Sequence, residues 1–229
     1  MQRMCGRYEL HTPVAEVARR FDAVLTDAAR ALPPRYNIAP TLQVPVLRQG
    51  RRGREIEAMT WGLTPSWAKT RSGDRSGVKP INARAETVFE RPMFRNAIAR
   101  RRCLLPADGF YEWQRGPARK QPYHVGMADG GLLALAGVWE YWAQEGQEPL
   151  VSCCIVVTDA NALMAAIHER MPVIIAPQDY TRWLDPALSG RATIEPMLVP
   201  FPAAEMRAYP ISTRVNDVKN DAPELIEPA

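Results

Sequence analysis

Short runs of apolar residues, several of them alternating with polar residues, recur along most of the chain and predict mainly strands. The predicted strands cover residues 44–48, 55–60, 103–105, 109–114, 123–126, 132–139 and 151–158. Helices are predicted after Thr12-Pro13, an N-cap followed by a first-turn proline, near Arg95, and at 160–166 and 179–184. Because no strand-helix unit repeats, the order favours an α+β fold, a single domain built on a mostly antiparallel β-sheet core with peripheral helices.

The segments between these elements are polar or rich in proline. Residues 32–41 (LPPRYNIAPT) contain three prolines and predict an extended loop, and the polar segment 71–79 predicts a surface loop. Residues 216–229 predict a frayed acidic C-terminal tail. We therefore expect one domain at 5–215, preceded at 1–4 by a leader that is misassigned or removed.

Length and composition indicate a protein that can form a core of its own. The chain has 229 residues, of which 46% are hydrophobic. It has no apolar run of about 18 residues and no apolar start of the secretory type, so we expect no membrane association and a cytoplasmic protein acting at the nucleoid. Its four cysteines, too few and too scattered for a disulfide framework, are predicted to be free thiols.

The charge is concentrated in one region. The net charge is +4, yet residues 48–102 hold fourteen Lys or Arg against five Asp or Glu, leaving fifteen basic against twenty acidic residues elsewhere. Such asymmetry is typical of a face that binds nucleic-acid phosphates. A coding bias toward arginine explains it equally well, so charge alone leaves DNA binding open.

The spacing of histidines, cysteines and glycines excludes several kinds of site. The three histidines and four cysteines show no paired ligand spacing, and neither a P-loop nor a G-x-S-x-G motif occurs, so we expect no metal and no cofactor. What remains are polar residues inside apolar or aromatic strings, where a polar side chain must be satisfied or used. The five strings are MCGRYEL, WGLTPSW, INARAET, DGFYEW and IHERMP.

In this order, and together with RYNIAP at Arg35–Pro40 and KQPY at Lys120–Tyr123, these strings resemble the SRAP family. The family is that of the SOS-response-associated peptidases and abasic-site processing proteins, and the resemblance runs from Cys5 to about Leu184. It implies an SRAP-like fold and a sensor of abasic sites in single-stranded DNA. It further implies a covalent thiazolidine crosslink through an N-terminal cysteine, with strand-cleaving lyase activity as a side reaction. We expect a monomer that binds single-stranded DNA.

Cys5 is the residue to which the resemblance assigns the crosslink. Its α-amine would form a Schiff base with the sugar aldehyde, and its thiol would close the ring. An α-amine suits this role because its reference pKa is about 8, against about 10.4 for lysine. Here MQR precedes Met4-Cys5, which departs from the family pattern, so either translation begins at Met4 or the leader is cut off later.

The resemblance gives catalytic roles to three further residues. Glu112 is expected to point away from Tyr111 and Trp113, and burial would raise its pKa and make it a proton shuttle. The alternative is a salt bridge to an arginine. Asn82 would orient the abasic sugar, unless it only forms a turn. His168 would move a proton at the sugar, unless it merely pairs with a helix C-terminus.

The remaining motif residues are expected to hold DNA. Three arginines would bind phosphates beside the lesion and two tryptophans would stack on flanking bases, with a core position as the alternative for either tryptophan. The predicted DNA-binding residues are Arg7, Pro40, Trp61, Trp67, Arg84 and Arg170. By contrast, Cys103, Cys153 and Cys154 are predicted to be small buried hydrophobic residues in strands.

Two other functions remain open at this point. The first is an autoprocessing cysteine peptidase with Cys5 as nucleophile, Glu112 or His168 assisting, and the leading tetrapeptide as substrate. The second is a binder of single-stranded DNA without catalytic activity, in which the polar cluster only holds phosphates.

Overall fold

The structure, a computed structural model, describes residues 5–69, 79–114 and 120–229. Within them the strands are β1 (Tyr8–Leu10), β2 (Val24–Leu25), β3 (Arg35–Ile38), β4 (Gln43–Gly50), β5 (Gly53–Trp61), β6 (Asn82–Arg84), β7 (Arg102–Ala107), β8 (Gly109–Gln114), β9 (Gln121–Met127), β10 (Leu133–Trp142), β11 (Leu150–Asp159), β12 (Arg170–Pro172) and β13 (Met206–Pro210). The α-helices are α1 (Val14–Arg20), α2 (Asp27–Arg30), α3 (Arg95–Arg100), α4 (Ala162–Ala165), α5 (Tyr180–Leu184) and α6 (Arg191–Ile194). Short 3₁₀ helices occur at Pro177–Asp179, Glu195–Met197, Ala203–Glu205, Thr213–Asn216 and Pro223–Ile226.

The strands form two sheets. A five-stranded sheet has the order β13-β9-β8-β1-β3 with every pair antiparallel. A larger sheet has the order β12-β11-β10-β7-β4-β5-β2, and β11 also pairs with β5, so that the path from β5 to β11 closes on itself. Only the pairs of β11 with β5 and β6 and of β2 with β5 are parallel. The predicted α+β domain with a mostly antiparallel core is thus confirmed.

The main core is built from the alternating inward residues of both sheets. Cys5 and Tyr8 of the N-terminal strand pack in the same cluster as Trp61 of β5 and the cysteines of β7 and β11. Cys103, Cys153 and Cys154 are fully buried, and all four cysteines are free, as predicted. Cys5 therefore lies in the interior of the domain, where its chemistry is shielded from bulk water.

Two local predictions were wrong in detail. The loop predicted at 32–41 contains β3, an edge strand that pairs with β1. Two of the three prolines precede this strand and the third follows it, so none interrupts it. Thr12 does not cap the first helix, because its hydroxyl donates to Asp108 (2.5 Å) and Pro13 is the N-cap residue. The loop predicted at 71–79 lies almost entirely outside the described residues, as does the leader at 1–4.

The C-terminal residues are ordered, so the prediction of a frayed tail was wrong. Leu225 is 1% exposed, and the Tyr209 hydroxyl donates to the carbonyl of Ile226 (2.8 Å). Ile211 and Pro228 form an antiparallel bridge. Burial of Leu225 and these hydrogen bonds hold in place a segment whose composition alone predicts a solvated tail.

None of the helices in the described part of the chain has the length and apolar character needed to cross a membrane.

Candidate active site

Pairing between the N-terminal strand and β8 brings Cys5 next to Glu112. Tyr8 lies opposite Phe110, and the N–H of Tyr111 donates to the carbonyl of Arg7 (3.0 Å). Two residues further, the Cys5 nitrogen donates to Oε1 of Glu112 at 2.6 Å. This nitrogen belongs to the peptide bond with Met4, and it stands where the α-amine of a chain beginning at Cys5 would be.

Glu112 is buried with the orientation that strand alternation predicts. Its side chain is on the face opposite to Tyr111, whose hydroxyl donates to Tyr36 O (2.6 Å), and to Trp113, whose Nε1 donates to Asn216 Oδ1 (2.7 Å). Glu112 is 3% exposed. Burial raises its pKa to about 7, although the backbone N–H groups of Cys5 and Trp113 favour the charged form. The prediction of a raised pKa is confirmed.

The conformation and environment of Cys5 are unusual. Its φ of 35° lies in the left-handed region that residues other than glycine rarely adopt. The side chain is 1% exposed, and burial, reinforced by the nearby Glu112 charge, raises the pKa of the thiol well above its usual range. The thiol is therefore protonated at neutral pH, and the group with an acid-base partner beside it is the nitrogen.

Asn82 reaches Cys5 from the larger sheet. It is the first residue of β6, which pairs with residues 155–157 of β11 and places Asn82 opposite Ile155. Its Nδ2 donates to the carbonyl of Cys5 at 3.5 Å. Cys5 is thus held on its nitrogen side by Glu112 and on its carbonyl side by Asn82, and the two sheets meet at this residue.

Trp61 belongs to the support of the site and not to a base-stacking surface, which corrects the predicted DNA contact. Its ring is fully buried and packs edge-on against Tyr8, with ring centroids 5.2 Å apart. Its Nε1 donates to the carbonyl of Ile81 (3.0 Å), next to Asn82. A ring with no exposed surface and a satisfied N–H cannot accept a stacked base in this conformation.

His168 lies on the loop after α4, beside the end of β8. Gln114, which shares a strand face with Glu112, donates through Nε2 to the carbonyl of Ala166 (2.7 Å). Nδ1 of His168 lies 3.1 Å from the backbone nitrogen and 3.3 Å from the carbonyl oxygen of Arg170, so it can bond to the Arg170 backbone in either neutral tautomer. The ring is 9% exposed. The loop that carries His168 thus contacts the strand that carries Glu112, and His168 itself bonds to the backbone of Arg170.

Arg84 and Arg170 flank β11. Arg84 lies opposite Val157 and Arg170 opposite Asp159. Arg170 forms ion pairs with Glu86 and with Asp159 (3.1 Å), whose side chains are substantially exposed. Exposed pairs of this kind contribute little and exchange readily for a phosphate. Both arginines therefore border one end of the site.

Arg7 is more enclosed than a simple phosphate contact requires. Its Nη1 donates to Oδ1 of Asn37 (2.7 Å) and to the carbonyl of Val215 (2.9 Å). Burial lowers the pKa of Arg7, opposed by the charges of Tyr111 and Asp217. Part of the guanidinium is thus committed to holding the protein together, and its predicted role in DNA binding stays a prediction.

Trp67 and Pro40 both keep part of their surface exposed. Trp67 is 54% exposed, so its ring is available to a base. Pro40 is half-buried and precedes Thr41, which has a φ of 78° and donates its N–H to the carbonyl of Trp61 (2.8 Å). Of the two tryptophans, the structure leaves Trp67 alone in a position to stack.

Two buried polar residues were not singled out from the sequence. Glu9 is 1% exposed and contacts His124 and His11, and Asn37 is 2% exposed and contacts Arg7. Both lie inside strings already quoted, MCGRYEL and RYNIAP, flanked by apolar residues. A polar residue between apolar neighbours could therefore have identified Glu9 and Asn37 from the sequence.

Within the described residues, no group of three or more His, Cys, Asp or Glu is arranged to hold a metal ion.

Comparisons with known proteins agree with this arrangement. The family model described as SOS response associated peptidase (SRAP) matches residues 4–218. The abasic site processing protein YoqW of Bacillus subtilis (strain 168) is 37% identical, covering 98% of this chain and 99% of the relative. The mouse abasic site processing protein HMCES is 31% identical, covering 99% of this chain and 76% of the relative.

A solved structure shows the same fold. A crystal structure of a protein from Bacteroides thetaiotaomicron matches with a TM-score of 0.88 at 28% identity, covering 98% of this chain and all of that one. The family match extends over both sheets and over every residue placed at the site, from Cys5 to the end of the Thr213–Asn216 turn. The chain belongs to the SRAP family.

Proposed function

We propose that this protein processes abasic sites in single-stranded DNA by forming a covalent thiazolidine crosslink through Cys5 once that residue is N-terminal. The observation that carries the proposal is the 2.6 Å contact between the Cys5 nitrogen and the buried carboxyl of Glu112. An amine at this position has a proton donor and acceptor within hydrogen-bond distance. The names of the curated relatives, all abasic site processing proteins, support the same substrate.

In the first step the neutral amine attacks the aldehyde carbon of the ring-opened deoxyribose. The carbinolamine that forms loses its hydroxyl as water when Glu112, in its protonated form, donates a proton to the leaving oxygen. The product is a Schiff base. A pKa of about 7 suits this step because both forms of the carboxyl are then populated at neutral pH.

In the second step the thiol of Cys5 adds to the Schiff-base carbon. The sulfur forms its bond to carbon, the thiol proton passes to the carboxylate of Glu112, and the electron pair of the C=N π bond moves to nitrogen, which becomes a secondary amine. Aldehyde and aminothiol thus give thiazolidine and water, with no oxidant or reductant. The protonated, buried thiol fits a nucleophile that acts second. β-Elimination from the same Schiff base, in which His168 removes a C2′ proton and the C3′–O bond breaks with the 3′-phosphate as leaving group, would give a lyase side reaction.

DNA would reach the site past Arg84 and Arg170, which lie on the two strands beside the C-terminal end of β11. Arg170 would exchange its surface ion pairs for a phosphate, Arg84 would bind a second phosphate, and the exposed Trp67 would stack on a base of the bound strand. Asn82, already bonded to the Cys5 carbonyl, would orient the sugar. This arrangement needs a single strand, because the sugar must turn away from its neighbours to reach a buried nitrogen.

The test uses protein whose mass confirms that it starts at Cys5. It is incubated with a single-stranded oligonucleotide carrying one abasic site, and the products are separated on a denaturing gel and mapped by mass spectrometry. We expect a heat-resistant adduct on Cys5. Cys5→Ser should give no heat-resistant adduct but should still be trapped by borohydride, since it keeps the amine and loses only the thiol. Cys103→Ala, which removes a buried thiol elsewhere, should crosslink normally.

The negative results separate the alternatives. If the protein starting at Cys5 binds the oligonucleotide but gives neither a heat-resistant nor a borohydride-trapped adduct, it is a non-catalytic binder and the proposal fails. Protein that retains residues 1–4 should give no adduct, because its nitrogen is acylated. An adduct from that form would require a different nucleophile.

A second activity, removal of the leader by Cys5 itself, is favoured by one observation. Cys5 has a left-handed φ of 35°, and the nitrogen of the Met4–Cys5 bond donates to Glu112. Attack of the Cys5 sulfur on the Met4 carbonyl would give a thioester: the thiol proton passes to the Glu112 carboxylate, the C–N bond breaks, and Glu112 returns the proton to the leaving nitrogen. Water would then hydrolyse the thioester, releasing the leader as a carboxylic acid and restoring the thiol. Purified Cys5→Ala and Glu112→Gln should retain residues 1–4 under conditions where the parent chain loses them. Equal processing of all three would show that another protease acts.

A further inference from the structure

The C-terminal segment Ile211–Ala229 covers the face of the five-stranded sheet opposite to Glu112. Tyr111 packs with Ile211, Val215 and Leu225 in a separate small hydrophobic cluster, and Trp113 packs against its edge. Because alternate residues of a strand point to opposite faces, the two neighbours of Glu112 face this segment while Glu112 faces Cys5. The strand that carries the acid is thus held between the site and the C-terminus.

One buried side chain ties this segment to the sheet. Asn37, which is 2% exposed, donates through Nδ2 to the carbonyl oxygens of Val215 (3.3 Å), Asp217 (3.1 Å) and Asn220 (2.7 Å). These backbone oxygens belong to a turn without strand partners of their own. Together with the bonds that Tyr209, Trp113 and Arg7 make to the same segment, this amide holds the segment across the sheet.

The same network reaches both strands of the site. Oδ1 of Asn37 accepts from Nη1 of Arg7 (2.7 Å), two residues after Cys5. On the other strand, Nε1 of Trp113 donates to Asn216 Oδ1 (2.7 Å), one residue after Glu112. Asn37 and the segment that it holds thus bond to Arg7, close to Cys5, and to Trp113, next to Glu112.

We propose that Asn37 is a positioning residue that, through the C-terminal segment, sets the contact between the Cys5 nitrogen and the Glu112 carboxyl. Its use in crosslinking rests on the proposed function above. The need for such support is physical. β1 has only three residues and pairs with β8 at Tyr8 and Glu9, so this short ladder alone defines the separation of Cys5 and Glu112 weakly.

The test compares Asn37→Asp with the parent chain. This change keeps the shape and the bond to Arg7 but replaces the amide donor by an oxygen facing three carbonyls, which releases the segment. In chains that retain residues 1–4, the titration of Glu112 is followed by carboxyl-carbon NMR. We expect its midpoint to move from about 7 toward the ordinary glutamate value, because water reaches the loosened carboxyl.

Chains starting at Cys5 supply the second measurement. Asn37→Asp should slow crosslinking by about ten-fold through misplacement of the acid. Trp113→Phe, which loses the bond to Asn216 and part of the ring that lies against Arg7 and the C-terminal cluster, should shift the titration in the same direction by less. Leu184→Ala is the matched control, since it removes core packing on α5 and should lower the melting temperature without moving the Glu112 midpoint.

The outcomes are separable. If Asn37→Asp lowers the melting temperature as Leu184→Ala does but leaves the Glu112 midpoint unchanged, Asn37 is only structural and the inference is overturned. If the midpoint moves while the parent protein forms no adduct, the positioning stands and the proposed function fails. Should Asn37→Asp not fold, Trp113→Phe decides, and an unmoved midpoint in that variant counts against the inference.

Discussion

Two buried glutamates of the five-stranded sheet, Glu9 and Glu112, differ in what they face. They lie on adjacent antiparallel strands and are 1% and 3% exposed. Glu9 contacts Nε2 of His124 (2.7 Å) and Nδ1 of His11 (2.9 Å) on one side of the sheet. Glu112 contacts the nitrogen of Cys5 on the other. The two carboxyls are therefore almost equally buried but have different hydrogen-bond partners.

The two pKa values shift in opposite directions. Burial is the largest influence on Glu9 and acts to raise its pKa, but hydrogen bonds from His11 and His124 outweigh it and leave the pKa lowered. Burial dominates at Glu112 and raises the pKa to about 7. Burial alone thus does not mark a catalytic acid. No cationic side chain contributes to the pKa shift of Glu112. Its carboxyl is therefore not held in the ionised form, and its proton can be exchanged near neutral pH.

The largest effect we expect is on stability, at Glu9. Glu9→Ala leaves His124 buried without its partner, and breaking a buried pair from one side costs about 3 to 5 kcal/mol. For a domain of this size that corresponds to a fall in melting temperature of about 10 °C. Glu195→Ala, which breaks a fully exposed pair with Arg191, is the control and should leave the melting temperature unchanged. Equal melting temperatures for the two variants would mean that Glu9 is not stabilised by its histidine partners.

The pH dependence of stability should separate the two glutamates. The Glu112 pKa is raised from 4.5 to about 7 on folding, so its contribution, about 3 kcal/mol, is full below pH 4.5 and is lost as pH rises through about 7. Glu9, with a lowered pKa, stabilises above its unfolded pKa and loses that contribution on acidification.

Urea unfolding at a series of pH values measures both contributions, using chains that retain residues 1–4. Glu112→Gln should flatten the profile between about pH 4.5 and 7, and Glu9→Gln should flatten it at lower pH. A parent profile that is already flat between pH 4.5 and 7 would mean that Glu112 titrates normally.

The sequence predicted Glu112 well because the information is local. Alternation in DGFYEW is enough to aim its side chain away from Tyr111 and Trp113, and the hairpin at 43–61 follows from a similar short-range pattern. The C-terminal segment was mispredicted because its partners are distant. Asn37 and Val215 are 178 positions apart, and only the fold makes an acidic, proline-containing tail part of a buried network. Trp61 illustrates the same limit, since its motif does not state which way its ring points.

Crosslinking should respond to Glu112 and not to a similar carboxyl elsewhere. Glu112→Gln removes the proton shuttle and should slow adduct formation by about 100-fold in single-turnover gels. Its free energy of unfolding should not fall, because a neutral amide replaces a carboxyl that is costly to charge in place. Glu57→Gln is the matched control, since burial also raises the pKa of Glu57, on β5 beside Arg48. Equal rates for Glu112→Gln and Glu57→Gln would assign Glu112 a structural role.

The two tryptophans of WGLTPSW differ in a similar way, since one is buried with its hydrogen bond made and the other is exposed. Substitution of the exposed tryptophan should have the smallest effect of those predicted. Trp61 is buried with its N–H bonded, whereas Trp67 is 54% exposed. Trp67→Ala should weaken binding to a single-stranded oligonucleotide by about ten-fold and leave the melting temperature unchanged. Fluorescence anisotropy at fixed salt, with a tetrahydrofuran analogue that cannot open to an aldehyde, isolates binding from chemistry. Tyr141→Ala, which removes another half-exposed aromatic side chain, should bind like the parent, and equal weakening by both variants would mean that Trp67 contributes only general surface area.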